Sequence, residues 1–274
     1  MEAGLAVPDW PSSFGSFDPI ATGYSDPDNP NTRWWHVPPV LAEHGHRLLG
    51  ALVGLWVVGL ALWTWKTDQR RWMHFWGFGA LGLVILQGVL GGLRVEWKSL
   101  ELAVVHAMGA QLFFATAAAL TLFTSRSWQI HVLDSATPFQ RLRTLAVVTA
   151  VAVYVQILLG ALLRHPGAGI DLTFILVHVT GSVIALSLIL ATCAHIRNYF
   201  SANILLRRGG WIMMACLIAQ MILGMFALMV ILYDASQVDR SLAQVIFSSA
   251  HLVVGTLLMG TSACVMLCSL RPTA

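Results

Sequence analysis

The sequence predicts an all-α polytopic membrane protein, in which seven transmembrane helices form two parallel, pseudo-symmetric helix-bundle halves. Three observations predict this class. Of the 274 residues, 57% are hydrophobic and only 11% are charged, whereas about 25% of the residues are charged in a typical soluble domain. Seven apolar stretches are long enough to cross a hydrocarbon core, which takes about 20 residues per helix. Polar motifs also recur at matching places in two parts of the chain.

The seven stretches set the order of the predicted elements. They lie near residues 41–65, 72–93, 102–123, 143–163, 172–195, 211–232 and 243–268. Residues 1–40 hold seven of the ten prolines, so we expect an irregular loop outside the membrane. The rest of the chain is expected to form a first half of three helices, a linker, and a second half of four helices, at residues 41–123, 124–142 and 143–274.

Charges are distributed unequally between the two sides of the predicted membrane. One side carries ten Lys and Arg residues with two acidic residues, and the other side, including its helix ends, carries six with eleven. Cytoplasmic loops of membrane proteins are enriched in Lys and Arg. We therefore expect residues 1–40 to lie outside the cytoplasm, the linker at residues 124–142 to be cytoplasmic, and the C-terminus to lie inside.

A repeat relates the first three predicted helices to the last three. The second helix contains Gln87-Gly88-Val89-Leu90-Gly91, and the sixth contains Gln220-Met221-Ile222-Leu223-Gly224. The correspondence keeps the same orientation, as in a parallel repeat about an axis along the membrane normal. The fourth helix carries Gln156-Ile157-Leu158-Leu159-Gly160 and has no counterpart in the first half. This predicts an eighth helix before residue 1.

Four histidines occupy matching places in the repeat: His46, His106, His178 and His251. A single histidine of this kind can be a buried side chain satisfied by a neighbour, but ionisable residues inside membrane helices mark functional sites. Neutral imidazole is an axial ligand of haem iron. The repeat pairs the first two with each other and the last two with each other. We therefore expect two haem pockets in which these histidines ligate the iron.

The first predicted pocket carries charged residues that the second lacks. At about 100° per residue, Glu43, His46 and Arg47 share one face of the first helix, whereas His44 points about 160° away from His46. An ion pair between Glu43 and Arg47 near the lipid headgroups is one explanation. The other is that Glu43 acts on the edge of a macrocycle as a base or stabilises charge there. The helix around His178 has no such acid, so we expect one haem to be altered and the other to carry electrons.

Other polar residues near the histidines have alternative explanations. Gln87, Gln156 and Gln220 are expected to be structural, although each can hydrogen-bond a propionate. Three cations are expected on the outer side: Arg94, Lys98 and Arg164. They can pair with haem propionates, but anchoring at the membrane interface explains them equally well. We expect the remaining histidines to be solvated, because they lie in loops or at helix ends; they are His36, His74, His131, His165 and His195.

Taken together, these residues resemble the haem A synthase family, and the likeness runs over nearly the whole chain. It rests on Ala3-Gly4-Leu5-Ala6-Val7-Pro8-Asp9-Trp10-Pro11, the Glu43-x-x-His46-Arg47 motif, Gln87-Gly88-Val89-Leu90-Gly91-Gly92, His106, His178 and His251. Two features depart from the family pattern. The usual first helix of the family is expected to lie before residue 1, and residues 7–13 lack the cysteine pair of many bacterial members. The sequence therefore resembles the cysteine-less branch.

The resemblance implies an oxidoreductase that converts the C8 methyl of haem O to a formyl group by successive hydroxylations, with oxygen derived from water. It implies that His46 and His106 hold the substrate or product haem and that His178 and His251 hold haem b. Glu43, with Arg47, would be catalytic. Electrons would leave through haem b to an acceptor that is not identified, a quinone being one candidate.

The resemblance also implies a multi-pass location in a bacterial cytoplasmic membrane and a farnesyltransferase that supplies haem O. No nucleic-acid partner is expected, and a homo-oligomer is left open. Two other functions compete with the enzyme. A di-haem b electron carrier, acting as a membrane anchor, fits the histidines but does not use the asymmetry at Glu43. A transporter built on a parallel repeat leaves the four matched histidines without a role.

Overall fold

Seven long helices carry the predicted apolar stretches. The computed structural model describes residues 6–20, 22–26, 29–130, 139–163, 172–233 and 241–271. The helices are α1 (Pro38–Thr67), α2 (Arg71–Trp97), α3 (Leu100–Thr124), α4 (Arg126–Ile130), α5 (Phe139–Leu163), α6 (Leu172–Tyr199), α7 (Ile204–Tyr233) and α8 (Leu242–Leu270). All except the short α4 are long and apolar enough to cross a membrane. The predicted class, an all-α polytopic membrane protein with seven spans, is confirmed.

The observed helices extend beyond most of the predicted stretches. Helix α2 covers Arg71–Trp97 rather than residues 72–93, and α6 ends at Tyr199 rather than near residue 195. The apolar pattern marks only the part of a helix in the hydrocarbon core, whereas charged and aromatic residues continue the helix into the headgroup region. Helix α4 was not predicted and lies within the expected linker.

Local interactions account for several helix ends. Pro38 and Pro39 begin α1, where a missing N–H removes no helical hydrogen bond. Asp68 follows α1 and accepts hydrogen bonds from the Arg70 backbone N–H at 2.9 Å and guanidinium Nη2 at 2.6 Å. The side-chain hydrogen bond from Arg70 lowers the pKa of Asp68. Ser241 begins α8 by accepting the Gln244 N–H at 3.2 Å, a cap worth about 1 kcal/mol.

The chain divides into two compact units, Met1–Ala110 and Gln111–Ala274, with the boundary inside α3. In the first unit, α1 packs along α2, and a 3₁₀ turn at Trp34–His36 packs against α1. In the second unit, α5, α6, α7 and α8 form a closed four-helix bundle, because each packs against two of the others. The expected halves at residues 41–123 and 143–274 stay a prediction.

The apolar core of the second unit fills one end of its bundle. Leu142, Leu206 and Met213 are completely buried there, together with Ile189 and Val265. These residues come from the beginnings of α5 and α7 and from the later parts of α6 and α8. The opposite end of the bundle contains polar side chains instead, and it is the end at which His178 and His251 lie.

Candidate functional site

Each unit contains one pair of facing histidine rings. In the first unit, the ring centroids of His46 on α1 and His106 on α3 are 6.3 Å apart, with their planes at 86°. In the second unit, the ring centroids of His178 on α6 and His251 on α8 are 6.4 Å apart, with their planes at 76°. The two pairs that the repeat predicts are therefore the pairs that meet in space.

The spacing of both pairs fits a metal ion between two imidazoles. A bond from an imidazole nitrogen to a metal is about 2 Å long, and the ring centre lies about 1 Å behind that nitrogen, so opposed ligands have centroids about 6 Å apart. No group of three or more His, Cys, Asp or Glu side chains that could hold a metal ion occurs among the described residues. Two opposed histidines without other protein ligands suit haem, whose macrocycle supplies the remaining ligands.

Glycines on neighbouring helices make room for three of the four rings. The distances from a Cβ built on the glycine to the histidine Cε1 are 3.3 Å for Gly91 and His106, 3.0 Å for Gly160 and His178, and 2.9 Å for Gly224 and His251. Real Cβ atoms essentially never come closer than 3.0 Å to such a neighbour. A side chain at Gly224 would therefore displace the His251 ring.

A glutamine lies four residues before each of these glycines. Gln156 donates from Nε2 to the backbone carbonyl of His178 at 2.7 Å, and Nε2 lies 3.1 Å from Nδ1 of the same ring. This amide holds the ring by its Nδ1 edge and leaves Nε2 for a partner, as hydrogen bonds behind a ligating histidine do. All three glutamines also pack against a glycine of the histidine-bearing helix: Gln87 against Gly109, Gln156 against Gly181 and Gln220 against Gly255.

Buried polar atoms without partners occur at both histidine pairs. Nδ1 of His106 and Nδ1 of His251 make no hydrogen bond with the described residues, and neither do Oε1 of Gln87 and Oε1 of Gln220. Most buried polar groups in folded proteins are hydrogen-bonded, and exceptions call for an explanation. Each Nδ1 lies next to the glycine of the neighbouring helix, 3.7 Å from a Cβ on Gly91 and 3.4 Å from one on Gly224, so Nε2 is the nitrogen left for a ligand. With the opposed rings 6.3 Å and 6.4 Å apart, the residues present fit haem at both places.

The ion pair between Glu43 and Arg47, one of the two explanations considered above, forms, and it holds the N-terminal loop, residues 6–20. Arg47 Nη2 lies 2.8 Å from Glu43 Oε1, and the two side chains are only 18% and 8% exposed. Arg47 also donates to the backbone carbonyls of Asp9 at 2.6 Å and Ser12 at 3.0 Å. Glu43 Oε2 accepts the Val7 N–H at 3.2 Å. We call Glu43 and Arg47 the loop clamp.

His44 has a structural role that the sequence did not reveal. Its ring is buried, with Nδ1 3.0 Å from the Ser13 hydroxyl and Nε2 3.0 Å from the Pro19 carbonyl. Trp34 packs edge-on against it, with ring centroids 4.6 Å apart. Both ring nitrogens are therefore engaged by the N-terminal loop. His46 lies on a different face of α1, and its ring is the one that faces the His106 ring.

Trp10 seats the N-terminal loop on α2. A Cβ on Gly92 would overlap the Trp10 indole, and the backbone N–H of Trp10 donates to Glu96 Oε1 at 3.2 Å. The indole therefore packs on α2 at the residue that follows Gly91, the glycine that makes room for His106. Within the loop, burial raises the pKa of Asp9, but hydrogen bonds from Ser12 and two backbone N–H groups outweigh it and hold that pKa below 3.8.

Several of the remaining expectations were wrong or fall outside the described residues. His195 is buried at 5% exposure, because it packs between Tyr199 and Phe200 with ring centroids 4.8 Å and 5.9 Å away; the expectation of a solvated ring is wrong. His74 Nε2 lies 2.7 Å from the Asp68 carbonyl, and His36 is exposed. His131, His165 and Arg164 lie outside the described residues. Arg94 and Lys98 form no ion pair with any described residue.

The family model for cytochrome oxidase assembly proteins, COX15-CtaA, matches residues 1–180. The chain belongs to the COX15-CtaA family. The matched region contains the loop clamp, the first histidine pair and His178, whereas His251 lies beyond it.

Curated relatives of this COX15-CtaA chain are named heme A synthase. The relative from Exiguobacterium sibiricum is 30% identical over 155 residues, which are 55% of this chain and 48% of the relative. The relative from Methylobacterium sp. (strain 4-46) is 37% identical over 141 residues, which are 47% of this chain and 36% of the relative. The chain thus spans about half the length of the curated relatives it matches, or less. No solved structure matches it.

Proposed function

We propose that this protein is an oxidoreductase that converts the C8 methyl of haem O to a formyl group, the reaction that gives haem A. The observation that carries the proposal is the pair of equivalent histidine sites, of which, among the described residues, only the first lies beside an acid and a guanidinium. The family membership and the name of the relatives support it. An asymmetric pair of haem sites suits an enzyme that alters one haem and uses the other as an electron carrier.

The proposal assigns His46 and His106 to the substrate or product haem and His178 and His251 to haem b. When bound, haem b supplies a redox centre that takes up and passes on single electrons. The chain's own contribution is to orient the ligating rings. Gln156 fixes His178 from its Nδ1 side, and Gly91 lets His106 approach α2 closely.

Conversion of the methyl group with one water gives the formyl group, four electrons and four protons. A nearby base that accepts protons accelerates such a reaction by about 10²–10⁴-fold. Glu43 is the carboxylate on the His46 helix, one turn from the ring. Its Oε1 is held by Arg47 and its Oε2 by the Val7 N–H. We assign proton acceptance to Oε2, which becomes free when the Val7 N–H is released, while Arg47 keeps the carboxylate in place.

The same proposal includes the location and the partners. The excess of cations on one side of the helices supports a bacterial cytoplasmic membrane, with the N-terminal loop outside and the C-terminus in the cytoplasm. A farnesyltransferase that supplies haem O is the expected upstream partner, because the substrate is an apolar haem that stays in the membrane. A lipid-soluble acceptor, such as a quinone, is the expected destination of the electrons. A homo-oligomer stays open.

The test is the identity of the haems in membranes that contain this protein and a source of haem O. Extraction and chromatography should yield haem A for the wild-type chain and at least 100-fold less for Glu43→Gln, with haem O or a hydroxylated haem accumulating. Glu96→Gln is the matched control, because among the described residues Glu96 accepts only the backbone N–H of Trp10 in the same loop. Wild-type levels of haem A from Glu43→Gln would remove Glu43 from the mechanism. Unmodified haem O from the wild type would favour the di-haem electron carrier.

A further inference from the structure

A groove of about 460 Å³ lies between α5 and α6, a volume typical of small-molecule sites. Its lining is apolar except for Gln156 and Thr180. Leu176 and Ile184 on its wall are 58% and 59% exposed although their helix crosses the membrane. The groove therefore opens to the lipid, and a ligand that enters it must be soluble in the membrane.

Gln156 connects this groove to the second histidine pair. Its Nε2 contacts the carbonyl and the ring of His178, as described above, and the residue also lines the groove. At the corresponding places, the Gln87 side-chain amide and Oε1 of Gln220 have no hydrogen-bond partner among the described residues. A ligand in the groove is therefore separated from an expected haem ligand by a single amide.

Thr180 supplies a hydroxyl that is available to a ligand. Other membrane threonines donate to the carbonyl one turn earlier, as Thr116 does to Leu112 at 2.8 Å and Thr261 to Leu257 at 2.8 Å. Thr180 makes no such bond with any described residue, and its side chain lines the groove. Two residues after each of the other three histidines, the repeat carries an apolar side chain: Leu48, Met108 and Val253.

We propose that this groove binds a lipid-soluble quinone, which accepts the electrons released in the proposed oxidation of haem O. The Thr180 hydroxyl donates to a ring carbonyl of the quinone, and Gln156 Oε1 accepts a hydroxyl of the quinol product. An isoprenoid tail follows the apolar wall into the bilayer. This site rests on the proposed function, since that reaction supplies the electrons.

The electron and proton balance fits two quinones per formyl group. The methyl group and one water give the formyl group, four electrons and four protons. Each quinone takes two electrons and two protons to become a quinol, with the protons drawn from water at the nearest membrane surface. Two quinones therefore accept all four electrons that one turnover releases and take up as many protons as it releases, without any further oxidant.

The experiment measures quinone binding and quinone-dependent oxidation separately. Purified haem-loaded protein is chemically reduced and mixed with a decyl-tailed benzoquinone, and reoxidation is followed by haem absorbance. Ile184→Trp, which fills the groove, should slow reoxidation at least tenfold. Val183→Trp is the control, because Val183 is 57% exposed on the same helix but does not line the groove. Thr180→Val should raise the half-saturating quinone concentration several-fold, and Thr180→Ser should restore it.

A photoreactive quinone gives the readout that does not depend on haem chemistry. It should label residues of α5 and α6, and Ile184→Trp should abolish that labelling. Equal reoxidation rates for Ile184→Trp and wild type, or labelling confined to other helices, would overturn the proposal and leave the groove to lipid acyl chains. Labelling at α5 and α6 in a chain that converts no haem O would support the quinone site and reject the haem A synthase function instead.

Discussion

The first histidine pair and the second have nearly the same geometry but different surroundings. The ring centroids are 6.3 Å apart for His46 and His106 and 6.4 Å apart for His178 and His251. A buried acid, a guanidinium and a loop surround the first pair, whereas the second lies in a closed four-helix bundle with a hydrogen-bonded glutamine. In the proposed function, the repeat sets where a haem binds, while residues that differ between its two copies set what happens to it.

The largest expected effect follows from the glycines that make room for the rings. Gly224→Ala places a Cβ 2.9 Å from Cε1 of His251, so the ring must move off the axis of the second pair. We expect at least tenfold weaker binding of haem b, measured by haem titration of the purified protein. Gly210→Ala on the same helix is the control, because its Cβ would meet Ile196 at an ordinary 3.6 Å. Equal loss in both variants would mean that helix packing, not the ring, is responsible.

The same substitution at the first pair should have a smaller effect. The Cβ of Gly91→Ala would lie 3.3 Å from Cε1 of His106, a distance that a shift of a few tenths of an ångström relieves. Overpacking costs about 1–3 kcal/mol where the neighbouring atoms cannot move. Because the His106 ring can shift, we expect only about a threefold loss of affinity for the haem at this pair. Gly88→Ala, with open space around it, should bind like wild type. A larger loss at Gly91 than at Gly224 would reverse the ranking derived from these distances.

A change at Gly92 tests the loop without touching a histidine. Gly92→Ala removes the seat of the Trp10 indole, because the added Cβ would overlap that ring. We expect the loop to become cleavable by protease at residues 6–20 and haem A formation to fall several-fold, while haem b binding stays unchanged. Limited proteolysis and haem extraction measure these effects. An intact loop in this variant would show that the loop clamp and His44 hold it without Trp10.

The smallest expected effect is the pH dependence of the loop. Hydrogen bonds hold the pKa of Asp9 below 3.8, despite the opposing effect of its burial. A carboxylate with a lowered pKa stabilises the folded loop above its unfolded pKa, and this stabilisation is lost as the pH falls through the lowered value. Protease cleavage of the loop should therefore increase below about pH 4, and Asp9→Asn should show the increased cleavage already at neutral pH. The range from about pH 6 to about pH 3 brackets the ordinary pKa of an Asp side chain. If cleavage of the wild-type loop does not change over that range, this role of Asp9 is contradicted.

The sequence predicted the membrane helices and the pairing of the histidines because both have a regular origin. Apolar length marks a span, and the recurrence of glutamine, glycine and histidine matches His46 to His178 and His106 to His251. The roles of His44 and Trp10 could not be predicted, since the loop that engages them has no periodicity and meets α1 and α2 across a long sequence separation. His195 was misassigned because a histidine near a helix end can be covered by the aromatic residues of the next turn.

The most direct test of the unequal roles of the two pairs is the haem content of His106→Ala and His251→Ala. Each purified variant is supplied with haem O, and its bound haems are extracted, identified and counted. The account predicts that His251→Ala loses haem b, and that His106→Ala keeps haem b but neither retains nor converts haem O. Loss of the same haem in both variants, or conversion of haem O by His106→Ala, would contradict it.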